Sequence, residues 1–202
     1  MNKFFTLAIT AVMSVITLYA QTPDEIISRM ESEFNKHRSE GVIMTMDMKI
    51  IIIGNISSTM MALGDKSYSR TSDGSTVVWT DGPTSWSYNA AKNQITINSS
   101  NKDTGNGADA DMFSNITAGY NVKLIKETDQ AWHFKCKRAK GNKDAIKKMN
   151  LVVDKKTYYP VSMSTKGILA SVTFKDVSFG VNDDQVTYNP AAYPTATVID
   201  NR

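Results

Sequence analysis

Cysteine occurs once in this chain of 202 residues, at Cys136, so no intrachain disulfide is possible and packing must hold the fold. On its apolar strand Cys136 reads as core rather than as a nucleophile. Histidine occurs twice, at His37 and His133, and neither stands at metal spacing from another ligand-type residue. No Gly-x-Ser-x-Gly elbow is present, and the carboxylates are scattered singly, so a paired acid–base site has no candidates. Gly105-Asn106-Gly107 lacks the βαβ setting of a dinucleotide loop. Asn101, Asp103, Asp109 and Asp111 do not match an EF-hand loop. These absences leave an enzyme without positive support, and neither cofactor nor metal is expected. Charge of one sign is lacking too: 23 Lys and Arg stand against 20 Asp and Glu, which gives no reason to invoke nucleic acid.

Long apolar runs are also missing, with one exception. Lys3 followed by Phe4 to Ala20 has the charge, apolar stretch and small final residue of a cleavable secretory signal, with Gln21 as the expected mature start. No later stretch approaches the roughly 18 apolar residues of a membrane span. No cysteine follows the signal region, so an N-terminal lipid attached through one is not expected. The expected product is therefore an exported, soluble single domain covering residues 21–202.

What the chain does contain is a twelve-residue β pattern from Val42 to Ile53. Side chains alternate between faces on a strand. Val42, Met44, Met46, Met48, Ile50 and Ile52 thus share an apolar face, while Ile43, Thr45, Asp47, Lys49, Ile51 and Ile53 share a mixed one. Methionine is unbranched and polarizable, so such a face suits either an ordinary core or a groove for a variable apolar ligand.

Upstream, Thr22-Pro23-Asp24-Glu25 predicts a capped helix start, and Ile26, Ile27, Met30 and Phe34 fall on one stripe ending before Gly41. Downstream, turn signals at Gly64-Asp65, Ser72-Asp73-Gly74, Asp81-Gly82-Pro83 and Ala91-Lys92-Asn93 divide a meander of short strands as far as Asn98. Ser99 to Gly107 predicts a loop, and Ala108 to Thr117 a short helix carrying Met112, Phe113 and Ile116. Strands follow at Asn121–Glu127, Ala131–Arg138, Met149–Asp154, Pro160–Thr165 and Ile168–Phe179, with an extended or irregular tail. The fold class is α+β: a large antiparallel sheet with a few helices. A basic run from Lys135 to Lys156 reads as a solvated face, or as a docking edge for an acidic partner or anionic head groups.

Two segments carry a resemblance. Thr80-Asp81-Gly82-Pro83-Thr84-Ser85-Trp86-Ser87-Tyr88-Asn89 resembles the Asp-Gly hairpin of the periplasmic outer-membrane lipoprotein carriers, the LolA-like family. Val186-Thr187-Tyr188-Asn189-Pro190 with Val198-Ile199-Asp200-Asn201-Arg202 resembles that family's closing pattern. The resemblance implies an unclosed, curved antiparallel β-barrel lined with apolar residues and lidded by helices. It implies a periplasmic carrier that takes acylated lipoproteins from an inner-membrane ABC transporter to an outer-membrane receptor; a monomer is expected. The alternative is a sensor or interaction domain of the same fold that binds lipidated or misfolded envelope proteins.

The groove expected on this basis is lined by Met44, Met46, Met48, Ile50, Met60, Trp79, Trp86 and Tyr88, with Met30, Phe34, Met112 and Phe113 from the helices. Carriers of this family have a basic residue before proline that tethers the lid. The matching stretch here, Gly64 to Arg70, has no proline, which leaves Lys66 or Arg70 as the tether.

Overall fold

The structure, a computed structural model, describes residues 21–100, 113–143 and 146–202. The expected signal at residues 1–20, most of the polar loop after Ser99, the start of the Ala108–Thr117 helix and Met112 lie outside the described residues.

The first helix, α1 (Pro23–His37), begins with the reciprocal cap its sequence predicts. Thr22 Oγ1 accepts from the Glu25 N–H at 3.3 Å, and Glu25 Oε2 accepts from the Thr22 N–H at 2.8 Å. Its stripe of Ile26, Ile27, Met30 and Phe34 is fully buried, a gross gain of about 6–12 kcal/mol before ordering costs. A 3-10 turn (Arg38–Glu40) and Gly41 at φ 80° then hand the chain to the sheet. A Cβ at Gly41 would lie 2.5 Å from Val181 Cβ, so both the backbone angle and the space demand glycine there.

The strand that follows is shorter than its pattern suggests. β1 (Val42–Ile50) stops at Ile50, and Ile51, Ile52 and Ile53 form the turn into β2 (Gly54–Leu63). Gly54, at φ 101°, pairs with Ile50 and closes the hairpin. Ladder closure thus overrides the β propensity of three consecutive isoleucines.

β3 (Lys66–Thr71), β4 (Thr76–Asp81), β5 (Thr84–Asn89) and β6 (Gln94–Ser99) follow as the expected meander. Of the predicted Ala108–Thr117 helix, the described part from Phe113 is not one continuous helix. Asn115 adopts a left-handed conformation at φ 64°, which breaks the helical path between Phe113 and Ile116, and α2 spans only Ile116–Gly119. β7 (Tyr120–Glu127), β8 (Ala131–Arg138), β9 (Lys148–Asp154), β10 (Pro160–Lys166) and β11 (Ala170–Phe179) complete the run, with Ile168 and Leu169 in a turn rather than in β11. The tail is more ordered than expected. It forms α3 (Asp183–Val186), a 3-10 turn and β12 (Thr197–Asp200), whose periodicity is too short to read from sequence alone.

The twelve strands of the described residues belong to one sheet, ordered β12-β6-β5-β4-β3-β2-β1-β11-β10-β9-β8-β7. Every neighbour is antiparallel except β12, which joins β6 in parallel. Among the described residues the two edges are not joined by hydrogen bonds, so the result is an unclosed barrel. The α+β class and the open curved sheet expected from the residues and the resemblance are the ones observed. α1 lies on the inner face, packed with Met44, Met60, Phe113, Trp132, Phe134, Leu151 and Met163 into one core.

Candidate apolar binding surface

Ladder register decides which predicted groove residues share a face. Partners directly opposite in a ladder point the same way. Met44 faces Met60, Met46 faces Ser58 and Phe174, and Met48 faces Ile56 and Val172. These lie on the α1 side of the sheet, where the methionine face was expected to point inward.

Along that face the environment changes. Met44, Met60, Met30, Phe34 and Phe113 are closed core, each at most 7% exposed. The Phe34 ring sits 5.3 Å from Phe113 and 5.6 Å from Phe179, so the space beneath α1 is filled by the protein's own side chains. Beyond the helix, Met46, Met48 and Ile50 with Ile56, Val172 and Phe174 are only half-buried. This strip of apolar side chains leads from the core to the exposed turns at the end of β1 and β10. Ile56, Val172 and Phe174 were not singled out from the sequence. Alternation in β2 and β11 could have placed them on a face, but only register aligns that face with the methionines.

The aromatic residues go elsewhere. Trp79 pairs with Tyr68, which pairs with Met61, the neighbour of Met60, and this offset of one residue puts Trp79 on the opposite face. Trp86 and Tyr88 follow it there through the β4–β5 ladder. The tail covers them: Trp86 stacks on Tyr188 with ring centroids 5.2 Å apart, and Tyr193 packs on Trp79 and Tyr88. Burial pushes the Tyr188 and Tyr193 phenols above their ordinary range. Trp79, Trp86 and Tyr88 therefore do not line the same surface as the methionines. On the α1 side, β3 to β5 present Ser67, Ser69, Val78, Thr80, Ser85 and Ser87, so the apolar lining gives way to hydroxyls at β3.

The helix is clipped down at both ends and in the middle. Tyr158 donates to Gln21 Oε1 at 2.9 Å and carries the Arg29 guanidinium 3.9 Å above its ring. Glu31 accepts from both the N–H and the hydroxyl of Thr117, at 2.9 and 2.7 Å. Val181 N–H donates to the Glu40 carbonyl at 2.8 Å.

Of the two tether candidates, Lys66 donates to Asp183 Oδ1 at 2.7 Å and Thr187 Oγ1 at 3.2 Å, which fastens β3 to α3 and the tail rather than to α1. Each partner shifts the other: the hydrogen bond raises Lys66 and lowers Asp183 from their ordinary ranges. Arg70 lies over the Ser72–Ser75 turn, with its guanidinium beside Gly74. Among the described residues no group of three His, Cys, Asp or Glu is placed to hold a metal ion. No helix of the described residues is long and apolar enough to cross a membrane.

No protein-family model and no curated protein matches the chain. Among solved structures, an uncharacterized conserved protein from Thermus thermophilus superposes with a TM-score of 0.52 at 16% identity, over 90% of this chain and 100% of that one. The likeness is one of fold. A LolA superfamily protein from Nitrosomonas europaea superposes more loosely, with a TM-score of 0.35 at 12% identity over 85% of this chain and 100% of that one. The Pseudomonas aeruginosa MucA/MucB complex gives a TM-score of 0.46 at 13% identity, over 88% of this chain and 63% of the matched chain.

Proposed function

We propose that this protein is a periplasmic, LolA-like carrier that holds the acyl chains of a lipoprotein, or of another lipid, against the sheet face beneath and beside α1. The observation that carries the reading is the half-buried strip of Met46, Met48, Ile50, Ile56, Val172 and Phe174, continuous with a core closed by a short helix. Flexible thioethers conform to chains of varied shape, as a carrier of varied cargo requires. α1 serves as the lid. It is held by polar contacts at its ends and at Arg29 and Glu31, and by apolar packing along its length, and cargo replaces that packing with packing of the same kind. In this reading Met1–Ala20 directs export and the protein acts as a monomer. As the resemblance implies, it receives cargo from an inner-membrane ABC transporter and delivers it to an outer-membrane receptor.

Native mass spectrometry of the protein isolated from its own cell envelope, followed by lipid extraction, tests this directly. A bound mass that resolves into acylated polypeptide supports the carrier, and free fatty acid or phospholipid keeps the surface but changes the cargo. Met46→Asp is expected to abolish binding of a fluorescent lipopeptide, because an unpaired carboxylate against an acyl chain is strongly disfavoured. Undiminished binding by this variant refutes the assignment of the strip. The closed packing of Phe34 on Phe113 favours a second reading, an interaction domain of the same fold that recognises lipidated or misfolded envelope proteins. A protein that is empty as isolated and binds no lipopeptide refutes the carrier and leaves the second reading with misfolded rather than lipidated partners.

A further inference from the structure

The most exposed of the large apolar side chains gather at one end of the sheet. Ile51, Ile52 and Ile53 in the β1–β2 turn are 70, 88 and 70% exposed, and Ile168 and Leu169 in the β10–β11 turn are 93 and 62% exposed. The two turns are neighbours, because β1 lies beside β11, and the Ile51 N–H donates to the Leu169 carbonyl at 3.0 Å. Together they form a two-knuckled apolar tip. Exposing five such side chains side by side is costly in water and marks a contact surface.

Strand direction places the lysines at the same end. Lys49 and Lys166 flank the two knuckles. β8 runs towards this end and β9 away from it, so Lys137, Lys140, Lys147 and Lys148 stand around their connection. Thr165, beside Lys166, donates to the Lys148 carbonyl at 3.1 Å, which ties that connection to the tip. Asp65, Asp81, Asp129, Asp154 and Asp183 lie at or beside connections of the opposite end. Lys66 and Lys155 pair with Asp183 and Glu127 there, so that end is mixed in charge, while the tip is apolar with a basic collar.

Beside the tip, on the face away from α1, is a hollow of about 480 Å³ lined by Lys49, Asn55, Ser57, Ser72, Ser171 and Thr173. Asp47 also borders it, but its carboxylate is engaged by Lys175 Nζ at 2.6 Å and the Ser57 hydroxyl at 2.7 Å. The hollow offers an ammonium and several hydroxyls next to a greasy protrusion.

We propose that this tip inserts into an anionic lipid bilayer, with Ile51–Ile53, Ile168 and Leu169 entering the acyl boundary and the lysine collar resting on lipid phosphates. A protruding knuckle fits a fluid surface that opens around it. The collar attracts an anionic surface and opposes a second copy of itself. This goes beyond the proposed cargo surface and does not depend on it: the tip turns touch solvent whether or not α1 opens.

Vesicle flotation tests the proposal with the intact protein, using phosphatidylcholine vesicles with and without phosphatidylglycerol. The wild-type protein is expected to float with the anionic vesicles and to be released by salt. The double variant Ile52→Asp, Ile168→Asp should bind about tenfold more weakly or less, while Ile125→Asp, at an exposed isoleucine on β7, binds as wild type. Both tip side chains are exposed, so the melting curves of variant and wild type should coincide. An Ile52→Trp reporter should shift its emission to the blue on addition of anionic vesicles. A wild-type protein that does not float, a tip variant that floats unchanged, or an unshifted tryptophan overturns the proposal. So does a concentration-dependent dimer that the tip variant dissolves, since the surface then belongs to a second copy.

Discussion

Phe34→Ala tests whether α1 is at once core and lid. Phe34 is fully buried, its ring lies within 6 Å of Phe113 and Phe179, and it anchors the last full turn of the helix to the sheet. Truncating a buried phenylalanine costs about 3–5 kcal/mol, through lost transfer energy and the cavity left behind. For a domain of this size each kcal/mol lowers Tm by about 2–4 °C, so the melt should fall by about 6–20 °C. Scanning calorimetry of the chain from Gln21 measures it. The same change should alter binding. If cargo enters only when α1 lifts, apparent affinity is reduced by the small fraction of open molecules. Weakening the closed packing raises that fraction, and each 1.4 kcal/mol is a factor of ten. Lipopeptide affinity of Phe34→Ala should therefore rise about tenfold or more, unless the helix is already open. A fall in Tm below about 2 °C refutes the packing argument. A large fall in Tm with unchanged or weaker affinity refutes the lid, and leaves α1 as fixed core.

Gly41→Ala should destabilise by at least about 1–3 kcal/mol, since alanine is strained at φ 80° and its Cβ would collide with Val181; an unchanged denaturation midpoint would mean the α1–β1 junction relaxes freely. Cys136 is fully buried, and desolvation pushes its thiol up to about 11. It should resist a thiol reagent at pH 8 in the folded protein and react once denaturant is added; rapid labelling of the native protein would place it elsewhere. Acid should destabilise the fold over a defined window. Asp73, accepting from the Ser75 N–H, and Asp200, accepting from Arg202, both titrate at about 2. Asp154, held by the Thr157 N–H, and Asp47, held by Lys175, are lowered as well. These carboxylates bind protons more weakly when folded, so their stabilisation is complete above about pH 4 and is lost as pH falls towards 2. A melting temperature flat from pH 5 to pH 2 would contradict this.

Much of the architecture was legible because it rests on local periodicity and turn chemistry. Thr22, Pro23 and Glu25 announce α1, its four-residue stripe predicts the buried side, and Asp81-Gly82-Pro83 marks the β4–β5 hairpin. Where expectation failed, a nonlocal term won. Three isoleucines at Ile51–Ile53 have high strand propensity, yet closure at Gly54 made them a turn. Asn115 in the left-handed region separates Phe113 from the helix that starts at Ile116, where spacing alone would run through. The candidate surface divided in the same way. Met46, Met48 and Ile50 share a face by simple alternation, but whether Trp79 joins them depends on the register of three ladders and so escaped the sequence.

By itself the sequence determined the class of the fold: a helix that must cover an apolar face and a run of alternating strands that must pair antiparallel. Those properties follow from interactions within a few residues. Tertiary structure alone decided how far Phe34 and Phe113 fill the concave face, how the aromatic strands are covered by the tail, and which end gathers Ile52, Ile168 and the lysines. Each of these depends on strand order and register, which bring residues more than a hundred positions apart into contact, and no local pattern encodes that distance.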